Sequence, residues 1–334
     1  MSRQMKISLS GTDLHITADL LDDVNRQACD VLWGNLPYRS VLLHTVVAGS
    51  NMHSFVPTTA PFYDHAPTLR RRLECEPGTI FSPYPRCLFV KYGPDSEDHQ
   101  FPPVARVTED SLPAMREMGR LSWQAVYHSK EIRQIVVERA GQPSGAVPSV
   151  SSRLPSADRF GEPDLRQLAA DMTAAIDDMW LTPPAELTDL YSGDHSARTG
   201  LGSYGQYFST LFFVEGEISR LSNIANIGSI DIMLRLCRSG ELPLPALKTA
   251  TSMLCDVSVR YLAMCGQQTI SDFFQRLVRH FDAITTPEEY FDLFSLFSLY
   301  AYRLHSWNML LFPWKAGQET HAYQPPAPAG AASR

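Results

Sequence analysis

The residues best suited to chemistry sit between Pro77 and Val107. Glu97 follows the Gly93-Pro94 turn and precedes a short β-type run, Val104–Val107. A carboxylate presented beside the mouth of a β-barrel can act as a general base. Asp98 and His99 come directly after it, a grouping that also suits a solvated turn. The basic cluster Arg70-Arg71-Arg72 can form an anion pocket, and the same trio also reads as a solvated turn. His44 and His53 fall on consecutive strands of a hairpin and could face the barrel interior together, although a lone strand histidine is more often structural. Tyr84, Phe89 and Tyr92 lie close enough in sequence to hold an aromatic ligand by offset stacking.

Other chemistries find little support. Gly200-Leu201-Gly202-Ser203-Tyr204-Gly205 matches G-x-G-x-x-G, but it follows a polar, turn-like stretch and not a strand, so it is expected to be a loop and helix start. No G-x-S-x-G elbow and no P-loop occur. The histidines show neither H-x-H nor H-E-x-x-H spacing, and the six cysteines form no C-x-x-C pair, so no metal site is expected. A net charge of −7 argues against nucleic acid as a partner. The opening residues Met1–Lys6 lack the apolar core of a secretory signal, so the expected location is the reducing cytoplasm with free thiols. Asp292, Arg303 and His305 interrupt the apolar stretch Tyr290–Trp314, which reads as a buried helix and not a membrane span.

The elements that must position these residues change character midway. Met5–Leu9, Leu14–Ile16, Val41–Val47, His53–Val56, Thr79–Ser82, Cys87–Tyr92, Val104–Val107 and Glu131–Glu138 read as strands, with helices over Leu20–Trp33 and Ser111–Tyr127. Many short strands with turn signals between them predict a closed or nearly closed barrel over residues 1–140. The stretch 141–163, rich in Pro, Ser and Gly, reads as a linker. Residues 164–315 then read as helices, several opened by proline, and predict a bundle. The tail 316–334, poor in bulky apolar groups, is expected to be disordered. The fold class is therefore α+β.

Leu32–Pro37, Ser40–His44, Ser50–Pro57, Pro77–Ile80, Ser82-Pro83, Lys91–Gly93 and Pro103–Val107 resemble the small cyclophilin-like barrel family. A barrel of this kind followed by a helical bundle is similar to cucumopine synthase and to bacterial β-carboline-forming Pictet-Spengler cyclases of the marinacarboline type. The resemblance implies that an amine condenses with a carbonyl to an iminium ion, onto which a heteroaromatic ring closes without a redox cofactor. It implies Glu97 as general base and Arg72 in the carbonyl pocket, with Arg70 and Arg71 as alternatives. It also implies a pocket histidine before Tyr92-Gly93, where this chain instead has Arg86 and Cys87. The expected substrates are L-tryptophan with an oxo-aldehyde or 2-oxo acid. Histidine with 2-oxoglutarate is the alternative, and a non-catalytic small-molecule binder is the rival of another class. The substrate-binding set is Arg72, His53, Tyr92, Tyr84, Phe89 and Arg86, and the relatives imply a homodimer.

Overall fold

A computed structural model describes residues 3–59, 67–82, 86–142, 145–192, 204–222 and 228–314. Its strands are β1 (Gln4–Leu9), β2 (His15–Leu20), β3 (Tyr38–Val41), β4 (Leu43–His44), β5 (Asn51–Phe55), β6 (Arg70–Arg71), β7 (Thr79–Phe81), β8 (Cys87–Lys91), β9 (Gln100–Phe101), β10 (Pro103–Val107) and β11 (Gln134–Arg139). The main sheet is nine-stranded and antiparallel, in the order β3-β11-β1-β2-β10-β7-β8-β5-β4. β3 and β4 are the halves of one strand, interrupted at Leu42; β3 pairs with β11 and β4 with β5, so the sheet returns on itself as a nearly closed barrel. β6 and β9 form a separate two-stranded ribbon.

Alternation along the strands separates two apolar clusters. Met5, Ile7, Ile16, Met52, Ile80, Leu88, Val90 and Val104 fill the barrel with Ala28 and Leu32 of α1 (Arg26–Gly34) and Met115 and Met118 of α2 (Leu112–Gln124). Phe55, Phe81, Cys87 and Phe89 point the other way and join the bundle's core. Burying a side chain of this size contributes about 1.5–3 kcal/mol, so the outer barrel wall is as strongly held as its lumen.

The bundle comprises α3 (Pro163–Asp178), α4 (Ala185–Ser192), α5 (Tyr204–Leu221), α6 (Ser229–Ser239), α7 (Leu244–Met264), α8 (Gln268–Arg279) and α9 (Pro287–Leu311). α9 starts sharply: the Thr286 side chain accepts from Glu289 N–H, Glu289 returns the bond in a capping box, and Pro287 occupies the first turn. It is buried from Leu293 to Leu310, as its lack of a polar face predicts, and it packs against α3, α5 and α6. Among the described residues no helix is long and apolar enough to cross a membrane.

Several expectations shift. The helix expected from Leu20 begins only at Arg26, because β2 continues to Leu20 and pairs there with Ala105. α4 extends to Ser192, four residues into the polar stretch from Asp189 that reads as turn-like. Residues 141–163 hold buried Val150, Leu154 and Phe160 against the bundle, and Arg153 donates to the Asn35 and Pro37 carbonyls of the barrel. Tyr84, the loop residues before Tyr204 and the tail 316–334 lie outside the described residues.

Candidate functional site

Register decides which side chains meet. His53 is opposite Leu43 and Phe89, while His44 is opposite Met52. Met52 belongs to the barrel lumen, so His53 lies on the outer, bundle-facing side and His44 on the opposite face. The two histidines therefore do not share the barrel interior. His53 stacks on Phe89, with ring centroids 5.1 Å apart and planes 17° apart. The site forms on the outside of the barrel wall, under the helices, and not within the barrel.

The ribbon of β6 and β9 brings Glu97 to Arg72. Arg70 pairs with Phe101 and Arg71 with Gln100, and the Arg72 N–H donates to the His99 carbonyl at 2.9 Å. Arg71 stays at the surface with Asp98 and Glu74. Arg72 turns inward and is 0% exposed. Its Nη2 donates to Asp95 Oδ1 at 2.9 Å and to the Ala48 carbonyl at 2.8 Å. Its guanidinium carbon stands 5.9 Å from the Phe89 ring centroid and 5.6 Å from that of Phe101. Among the described residues Nε and Nη1 have no hydrogen-bond partner. Nη1 lies 3.8 Å from Glu97 Oε2, an ion-pair distance too long for a hydrogen bond. Glu97 Oε2 also lacks a hydrogen-bond partner among the described residues, with His99 Nε2 at 3.5 Å, while the side chain as a whole is 24% exposed.

Sequence reasoning missed the groups that hold Arg72. Asp95 is fully buried and serves two cations, Arg72 and Lys91, whose Nζ lies 3.3 Å from Asp95 Oδ2. Lys91 also donates to the Arg72 and Cys75 carbonyls, both at 2.6 Å. Asn51 donates to Asp95 and to the Ala48 carbonyl. Gly49, at φ +79°, permits the approach of this loop: a Cβ there would lie 2.6 Å from the Pro94 carbonyl oxygen. The Gly93-Pro94 turn was the only sequence signal for this packing.

Beside the pair opens a cavity of about 270 Å³ between the barrel wall and α5 and α9. Thr45–Ala48, His53 and Phe89 line the barrel side; Phe212, Glu215 and Ser219 of α5, His305 and Met309 of α9, and Trp314 line the other. Arg72 and Glu97 do not themselves line it, but Arg72 contacts two of its walls, Ala48 and Phe89. Both His53 nitrogens are buried without a partner among the described residues. Burial pushes the His53 imidazole down to about 3 and His305 to about 4, and raises Glu215 from the ordinary carboxylate range.

The remaining sequence candidates lie elsewhere. Tyr92 faces a second, more open cleft of about 500 Å³ with His44, Trp123 and Tyr127, and its hydroxyl meets His44 Nε2 at 2.8 Å. Its ring covers Gly119, where a Cβ would come within 2.5 Å of it. Arg86 is buried under α9, donating to Ser298 Oγ at 3.0 Å; Ser298 and Tyr302 in turn donate to Asp231. That network ties barrel to bundle and is separate from the cavity. Cys87 is buried on the bundle-facing side, and the imidazole this face carries is His53, one strand away. Among the described residues no group of three His, Cys, Asp or Glu side chains is placed to hold a metal ion.

Residues 165–311 match the cucumopine synthase C-terminal helical bundle domain. No curated protein matches the chain. Among solved structures, the chain is similar to McbB in complex with tryptophan, with 31% sequence identity and a TM-score of 0.85, over 95% of this chain and 99% of that one. A barrel whose outer wall meets a cucumopine synthase-type bundle, aligned along nearly its whole length with McbB, assigns the chain to the cucumopine synthase-like family that includes McbB.

Proposed function

We propose that the protein is a Pictet-Spengler cyclase that joins L-tryptophan to an oxo-aldehyde or a 2-oxo acid, giving a tetrahydro-β-carboline, which an external oxidant such as dioxygen can then convert to the β-carboline. The observation that carries this reading is the unbonded Glu97 carboxylate 3.8 Å from an unsatisfied buried Arg72 Nη1, beside an apolar cavity. The likeness to a tryptophan-bound structure supports the amino acid.

In this mechanism Glu97 takes the proton that the substrate ammonium must lose before its nitrogen attacks the carbonyl carbon. Glu97 returns that proton to the carbonyl oxygen, which takes a second one from the nitrogen and leaves as water, and the iminium ion that results is cationic beside the restored carboxylate. The indole carbon then attacks the iminium carbon, and Glu97 accepts the ring proton as aromaticity returns. Arg72 offers a forked pair of donors, Nε and Nη1, to a substrate carboxylate or to the carbonyl oxygen. Asp95 and Lys91 fix that guanidinium before substrate arrives, which makes the site preorganised. Phe89 and His53 hold the reactants from the barrel wall, and orientation supplies much of the acceleration. Ring closure itself needs no redox cofactor.

The test is mass spectrometry of the protein with tryptophan or histidine and a panel of oxo-aldehydes and 2-oxo acids, with Glu97→Gln alongside. A product at the summed mass minus water, carrying a fused-ring spectrum and missing from the variant, is the expected result. Product from histidine and 2-oxoglutarate instead would make the chain a cucumopine-type synthase, a reading the bundle match favours. Amino-acid binding without product from any pair would leave a binding protein.

A homodimer belongs to the same reading. Met253, Val257, Tyr261 and Met264 of α7 and Phe213 of α5 form an exposed apolar face, with Met253 75% accessible. Light scattering is expected to give twice the chain mass, and Met253→Lys with Val257→Lys to halve it.

A further inference from the structure

The cavity is asymmetric in its chemistry. Phe89, Met309 and Trp314 make it apolar, and Glu215, Ser219 and His305 gather at one part of its wall. Glu215 and Ser219 stand one turn apart on α5 and face α9, where His305 meets them. The Ser219 hydroxyl has one proton and gives it to Glu215 Oε1, at 2.9 Å. Its oxygen is then left to accept from His305 Nδ1, 3.5 Å away. That order of donors puts the His305 proton on Nδ1 and leaves Nε2 as an acceptor. Burial keeps both cavity imidazoles neutral near pH 7, and no arginine or lysine is among the lining residues described. The part of the cavity beside His305 is thus suited to an apolar body bearing a neutral hydrogen-bond donor, and not to an anion.

We propose that His305 Nε2 accepts the ring N–H of the substrate's heteroaromatic side chain, so that the Glu215–Ser219–His305 relay selects an N–H heteroaromatic amino acid over an isostere lacking that donor. This rests on the cyclase reading only for the aromatic amino acid as ligand. The relay fixes a tautomer; it touches no reacting carbon. Ser219 and Glu215 are positioning residues that act through His305.

Calorimetric titration with tryptophan and with its benzothiophene analogue, in which sulfur replaces the ring N–H, tests the proposal. The wild-type protein is expected to bind tryptophan about tenfold more tightly, the worth of one buried hydrogen bond. In His305→Phe the preference should vanish, with tryptophan weakened to the level of the analogue. Wild-type affinities equal within about twofold would overturn the proposal, as would a tenfold preference that survives His305→Phe. If that variant does not fold, the wild-type comparison and Ser219→Ala, which frees the tautomer and should reduce the preference, decide it. Product assayed in parallel separates the two readings. Turnover of tryptophan without a ring N–H preference removes this inference alone, and a preference without product removes the cyclase reading alone.

Discussion

His44 and His53 occupy opposite faces of the β4–β5 pair and are almost equally buried, at 4% and 1% exposure. His44 has both nitrogens engaged, with the Thr45 carbonyl at 2.7 Å and the Tyr92 hydroxyl at 2.8 Å. His53 has neither engaged among the described residues and stands against a cavity. A buried polar group left without a partner costs about 1–3 kcal/mol, so a protein retains one where a ligand can supply the missing bonds. Two of the buried arginines differ in a similar way. Arg86 reaches Asp231 through Ser298 and leaves only Nε unpartnered among the described residues, while Arg72 leaves both Nε and Nη1 unpartnered there, beside a partly exposed glutamate. Burial alone does not separate scaffold from site here; unfinished bonding beside a cavity marks the candidate site.

The widest separation between the two classes should come from their carboxylates. Glu97→Gln is expected to lower kcat/KM by about 10²–10⁴, the usual contribution of a general base, and to leave urea unfolding within about 0.5 kcal/mol of wild type. Asp231→Ala should behave in the opposite sense. It strands the buried Arg86 and should cost about 3–5 kcal/mol of stability, read by the same unfolding curves. A Glu97→Gln protein that unfolds easily, or an Asp231→Ala protein as stable as wild type, would dissolve the distinction.

The histidines sharpen it at a finer scale. His44→Phe removes a partner from the Tyr92 hydroxyl and should destabilise by about 1–3 kcal/mol. His53→Phe removes only unbonded nitrogens and extends the Phe55–Phe89 surface, so stability should hold or rise slightly while tryptophan affinity falls. Equal losses of stability in both would mean that His53 has a structural partner after all.

Much of the barrel is legible in the sequence where a strand keeps one polar face. Met5–Leu9 alternates apolar and polar, and in β1 Met5, Ile7 and Leu9 are buried while Lys6 and Ser8 between them are half-buried. β5 and β8 are buried at every position, because the bundle covers their outer face. With no polar side left, period-two reasoning cannot tell lumen from wall, so the sequence leaves open a shared interior position for His44 and His53 that the register rules out. Tyr92 ends up in the second cleft for a related reason: it lies just beyond the end of β8, packed over Gly119. Glu97 and Arg72 are legible as residue types, and the resemblance pairs them. Asp95, which anchors Arg72, looks like any turn aspartate. Glu215, Ser219 and His305 come together only through the packing of α5 on α9, which leaves no local trace in the chain.

The most gradual expected effect is on acid stability, and its sign follows from burial. The His44, His53 and His305 imidazoles are held down to about 4, about 3 and about 4, below the ordinary value near 6.5 of the unfolded chain. Between those limits the unfolded state binds protons that the native state does not, so stability is full above about pH 6.5 and declines as the pH falls toward 4. Each histidine contributes at most about 1.4 kcal/mol per pH unit in that window. His53→Phe should remove one such contribution and flatten the decline, measured as unfolding free energy at intervals from pH 7 to 4. His44→Phe should flatten it equally, even though it lowers the whole curve, because protonation responds to burial and not to which face of the strand pair is complete. An unchanged slope in His53→Phe would mean that His53 already carries a proton in the native state, and with it the capacity to bind an anion in place of a neutral partner.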